Sequence, residues 1–91
     1  MALQYLYNPL DYTFKWVRQP DGWWYEWDRL LAHRQALAAR NRAAKQLKAQ
    51  GYRVVKSTLT NQLISRGGIG TDRPHIDHWV NVYILDATRE E

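Results

Sequence analysis

Lys15 to Asp28 reads KWVRQPDGWWYEWD and holds four of the five tryptophans of a 91-residue chain on either side of one turn. At its centre, Gln19-Pro20-Asp21-Gly22 follows a turn recipe in which proline presets φ at the second position and glycine supplies a left-handed fourth. The pattern predicts a hairpin closed by a three-residue loop with a glycine bulge, pairing Gln19 with Trp23 and Arg18 with Trp24. Side chains alternate across a strand. In this register one face carries Phe14, Trp16, Arg18, Trp24 and Glu26, and the other carries Lys15, Val17, Gln19, Trp23, Tyr25 and Trp27. Both faces are aromatic, and one helix covers only one of them. The second face then has three readings: the N-terminal arm folds over it, a protein docks on it, or its rings stack nucleobases beside Lys15 and Arg18.

Working outward, residues 1–12 (MALQYLYNPLDY) form an apolar arm interrupted by the turn-favouring pair Asn8-Pro9. Residues 13–28 form the hairpin. Residues 29–50 are rich in Ala, Leu, Arg, Lys and Gln and read as one helix, with Asp28 as N-cap and Gly51 just past the C-terminus. Residues 52–63 and 75–87 read as strands, and residues 88–91 as a polar tail. The order ββαββ predicts an α+β fold, a four-stranded antiparallel sheet with one long helix packed on one face. At 91 residues and 45% hydrophobic content, one domain is expected.

The helical period places Leu30, Ala36, Leu37, Ala43, Ala44 and Leu47 against the sheet, and Arg34, Gln35, Ala38, Arg42 and Lys45 towards water. His33 and Arg40 fall within the apolar side. They are expected at the sheet margin, with their polar ends reaching water or a carboxylate; the functional alternative is a small anion pocket under the helix.

The formal net charge is +4, and it is unevenly placed. Residues 29–56 hold eight basic residues and no acid, whereas acids outnumber bases on either side. Such a block attracts polyanions. With aromatic residues nearby, it reads as a small non-enzymatic module that binds DNA or RNA. Arg34, Arg42 and Lys45 would supply nonspecific contacts. Trp16 and Trp24 would stack beside Lys15 and Arg18, and Arg66 and Arg73, flanking the glycine-rich RGGIGTDR, would meet backbone phosphate. The alternative is a protein-interaction or homo-oligomeric adaptor, a homodimer included, docking through the open aromatic hairpin face.

Other chemistry is poorly supported. There is no cysteine for a disulfide or thiolate metal site. His75-Ile-Asp-His78 puts His75 and Asp77 on one strand face and His78 on the other, which opposes joint metal ligation or catalysis. The glycines around Ile69 match no Walker A or dinucleotide fingerprint, and nothing requires a cofactor. No segment is apolar enough to cross a bilayer, so a cytoplasmic chain without membrane contact is expected.

Overall fold

The computed structural model describes residues 1–90, so Glu91 at the end of the expected tail lies outside them. Along the chain lie β1 (Ala2–Tyr7), a short 3-10 turn (Pro9–Asp11), β2 (Lys15–Gln19), β3 (Gly22–Glu26), α1 (Arg29–Ala49), β4 (Arg53–Arg66) and β5 (Ile76–Thr88). β5 carries a near-continuous apolar run, with Val80, Val82, Ile84, Leu85 and Ala87 all buried. A strand buried on both faces belongs in the middle of a sheet, and β5 lies between β1 and β4, antiparallel to both.

The expected four-stranded sheet is therefore corrected. One helix and five strands form two sheets, β1-β5-β4 and the separate hairpin β2-β3. The N-terminal arm causes the difference. Its residues pair in register with β5 from Ala2↔Thr88 to Tyr7↔Tyr83, taking a sheet edge instead of folding over the hairpin.

α1 covers one face of this sheet, above Tyr83, Leu85 and Ala87; the last two are 0% and 1% exposed. Its buried stripe is Ala32, Ala36, Arg40 and Ala44, and the three alanines let the helix lie close on either side of the arginine. Leu30 sits about 200° round the helix from Ala32. It is 63% exposed, contrary to the expected stripe. Asp28 caps the helix by accepting from Leu31 N–H at 3.1 Å, and Gly51 takes φ 92° beyond its end.

Arg40 is buried, and among the described residues it makes no ion pair with a carboxylate. Its Nη1 donates to the Ser57 carbonyl at 2.9 Å, Nε and Nη2 donate to Asn41 Oδ1, and the guanidinium lies 5.5 Å from the Tyr83 ring centre. His33 Nδ1 lies 2.8 Å from the Arg29 carbonyl, while its Nε2 faces the Asn81 N–H at 3.4 Å; a proton on Nδ1 satisfies both contacts. Both residues thus serve the helix–sheet junction.

The β4–β5 ribbon extends beyond α1, and the molecule measures 55 × 25 × 21 Å. Midway, Thr60 and Asn61 of β4 stand opposite one residue of β5. Asn61 adopts φ 52°, its N–H donates to Asn81 Oδ1 at 3.3 Å, and Gln62 Nε2 caps the Thr60 carbonyl at 3.0 Å. This is a β-bulge, which bends the strand and raises its twist. Past it, the hairpin covers the face opposite to α1 through contacts with His78.

Candidate nucleic-acid interface

The hairpin closes one residue tighter than the turn recipe suggested. Pro20 and Asp21 form a two-residue loop, Gln19 pairs with Gly22, Arg18 with Trp23 and Trp16 with Tyr25. Gly22 takes φ 136°, a conformation that disfavours side chains. A one-residue slip exchanges faces along one strand. Trp16, Arg18, Trp23 and Tyr25 now share a face, with Phe14 stacked on Tyr25 and Trp27 against His78. Trp24, opposite Val17, points outward and is 56% exposed.

The aromatic face is used internally. Trp23 Nε1 donates to Asp72 Oδ2 at 2.6 Å, and the Trp23 ring has the Arg18 guanidinium at 5.4 Å and that of Arg73 at 4.6 Å. Arg73 also lies 5.8 Å from Trp16, and Arg66 pairs with Asp11 at 2.7 Å. Arg73 therefore ties the glycine-rich connection to Trp16 and Trp23 of the hairpin, Arg66 ties the end of β4 to the 3-10 turn, and Arg18 stays within the hairpin against Trp23. Of the expected hairpin contacts, Lys15 and Trp24 remain outward, and Trp24 Nε1 bonds Asp21.

Gly67 sits where this connection meets Trp16, at φ 72°, and a Cβ there would lie 2.2 Å from the Pro74 carbonyl oxygen. Gly67→Ala is expected to destabilise the fold by about 1–3 kcal/mol, read as a lower urea midpoint at unchanged slope. An unchanged midpoint would mean that the backbone relaxes there without loss.

The histidines separate as their alternation requires. His75 Nε2 meets Asp77 at 3.0 Å, and Asp77 also accepts from the Ser65 hydroxyl, which with His75 keeps its carboxyl below the usual range. His78 lies on the opposite face, with Nε2 3.3 Å from the Tyr25 hydroxyl and Nδ1 3.4 Å from Arg29 Nη2. Among the described residues, no three His, Asp or Glu side chains converge as a metal site.

Burial pushes the His78 pKa down, the Arg29 charge adds to this, and Asp77 opposes it. The unfolded chain therefore takes up this proton more readily than the folded one. Stability is expected to be full above about pH 6.5 and to fall as pH drops from there through the lower folded-state value. Asp77 acts only below the carboxylate range. In thermal melts between pH 7.5 and 5, His78→Gln should flatten the decline; an equally steep decline would assign it to other groups.

On the other side of the ribbon, α1 turns Arg34, Gln35, Asn41, Arg42, Lys45 and Lys48 outward, all exposed. The ion pairs among the described residues are Arg66–Asp11, Arg73–Asp72 and His75–Asp77, so no cation of residues 29–56 is paired with an acid there. The residues expected to act together are thus divided. Arg34, Arg42 and Lys45 lie on the helix side, while Trp16, Arg18, Arg66 and Arg73 lie against the opposite face.

Tyr12 supplies an aromatic ring on the helix side. It follows the 3-10 turn, its N–H donates to the Pro9 carbonyl at 3.1 Å, and its carbonyl accepts from Trp27 Nε1 at 3.1 Å. Thr13 next to it adopts φ 61°, unusual for a β-branched residue, and its hydroxyl bonds the Asp28 N–H and carbonyl at 3.2 and 3.3 Å. These contacts fix Tyr12 beside α1. With Arg34, Gln35, Ala38 and Arg42 it lines an open notch of about 530 Å³. Tyr5 and Tyr12 are also near enough to Tyr7 to raise its pKa, adding to the larger effect of burial. Sequence reasoning left Tyr12 in a packed arm and Gln35 merely facing water. The alternating Tyr5 and Tyr7 before Asn8-Pro9 were the available signal for a strand that delivers Tyr12 to the helix.

No helix of the described residues is long and apolar enough to cross a membrane. Comparison with known protein families, with curated proteins and with solved structures finds no match to this chain.

Proposed function

We propose that the protein binds nucleic acid through the outward face of α1. The reading rests on one observation: the exposed stripe of Arg34, Arg42 and Lys45 belongs to a basic segment with no acid partner among the described residues. Unpaired cations on a rigid helix release counterions from a phosphate chain at little ordering cost. Tyr12, rather than the hairpin tryptophans, supplies an aromatic ring beside it. Binding of a fluorescent oligonucleotide, followed by anisotropy from 50 to 200 mM salt, tests the reading. With three phosphate contacts, log K should fall with log salt at a slope of about −2 for single strands and about −3 for duplex DNA. No binding at low salt, or binding indifferent to salt, would overturn it.

A second reading, a self-associating adaptor, is moved from the hairpin to the sheet. Leu6, Val55 and Leu59 are 60%, 57% and 46% exposed, and their pairing with Ile84, Asp86 and Val82 places them on the helix-free face. The apolar side chains of this face surround Asp86, whose carboxylate accepts from Gln4 Nε2 at 2.9 Å, so a second copy meets mainly apolar surface. Sedimentation equilibrium across a hundredfold concentration range decides: a rising mass supports this reading, and a constant monomer mass removes it.

A further inference from the structure

We infer that the notch between Tyr12 and α1 receives an unpaired nucleotide, with its base stacked on Tyr12 and its flanking phosphates held by Arg34 and Arg42. This rests on the proposed nucleic-acid reading and names its ligand as single-stranded DNA or RNA. The floor is Ala38, the smallest side chain of the outward helix face. Arg34 and Arg42 lie one turn before and one turn after it, about 12 Å apart along the axis. Two cations therefore flank a recess instead of crowding it.

The recess is lined by five side chains of suitable chemistry: two guanidiniums for phosphate, a phenol ring for a base face, the Gln35 amide for a base edge, and a methyl group beneath. The notch is open to solvent, with a volume of about 530 Å³. Bases in a duplex are stacked on one another and offer only their edges, so a ring beside a recess serves a base that is free of its stack. Tyr12 is also pre-positioned. The strained Thr13 and its bonds to Asp28 hold the backbone that carries its ring beside α1. Nothing in the notch distinguishes ribose from deoxyribose.

A 12-mer single strand bearing 2-aminopurine reports the site, because stacking on an aromatic ring quenches its fluorescence. Deoxy- and ribo-oligonucleotides and the matching DNA duplex should be titrated at 50 mM salt. The inference expects quenching with the single strands. It also expects an affinity loss of about tenfold for Tyr12→Ala on single strands but not on duplex, and near-native binding by Tyr12→Phe. Ala38→Leu fills the recess without changing charge and with only a small loss of helix propensity, and should reproduce the selective loss if Tyr12→Ala folds poorly. A quench confined to the ribo- or the deoxy-strand identifies the sugar and supports the site. If Arg42→Gln weakens both forms while Tyr12→Ala and Ala38→Leu change neither, the notch is overturned and the general reading stands. Absence of binding to any oligonucleotide overturns both.

Discussion

Trp27→Ala is expected to cost about 3–4 kcal/mol, much of what holds a domain of this size together. The residue joins four parts of the molecule. Its Nε1 donates to the Pro9 and Tyr12 carbonyls, both at 3.1 Å. Its ring lies 4.8 Å from His78 and 6.2 Å from His33, and the Arg29 guanidinium stands 5.1 Å from its centre. Alanine opens a void at the junction of hairpin, helix start and sheet edge, leaves the Tyr12 carbonyl without this donor, and leaves the Pro9 carbonyl with the Tyr12 N–H alone. Trp27→Phe keeps most of the apolar contact and loses the donor, so about 1–3 kcal/mol is expected. Urea unfolding followed by far-UV circular dichroism measures both. A loss below about 1 kcal/mol for the alanine variant would show that the turn and the helix start hold together without it.

Joint replacement of Arg34, Arg42 and Lys45 by glutamine is expected to weaken oligonucleotide binding by about 100-fold at 0.1 M salt. Each phosphate contact is worth roughly fivefold there through counterion release. The salt slope should approach zero in the same variant. All three side chains are exposed and make no ion pair among the described residues, so the fold should melt as the native chain does. Lys15→Gln removes the same kind of charge from the hairpin on the other side of the ribbon and should leave the slope unchanged. If Lys15→Gln matches the effect of the helix variants, the polyanion lies on the hairpin and the assignment to α1 fails.

The local elements were legible because their signals are local. Asp28 and Gly51 bracket the helix as capping chemistry requires, and the proline-glycine turn makes the hairpin. Pairing between distant segments was not legible. The hydrogen bonds that place Ala2–Tyr7 beside β5 join residues more than seventy positions apart, and no short-range pattern specifies that partner. The hairpin register also escaped, because Pro20-Asp21-Gly22 accommodates loops of two or three residues. The choice lay in whether Trp23 or Trp24 would share a face with Trp16. Tertiary burial decided it, since Trp23 in that position reaches Asp72 and Arg73. The same contacts draw Trp16 and Arg73 to the inner face of the hairpin, while Arg66 is engaged separately by Asp11. The basic stripe was readable because residues at helical spacing on an exposed face need no distant partner.

β4 runs for fourteen residues along one side of its sheet, with no strand on its outer edge. Long bare edges invite other chains to add on and grow into fibres. Here the bent backbone at Asn61 interrupts the straight template, and the Ser57 and Thr60 carbonyls are already taken by Arg40 and Gln62. The kinked backbone thus has a second consequence beyond aiming the ribbon: it spoils the flat template on which runaway strand-by-strand polymerisation depends.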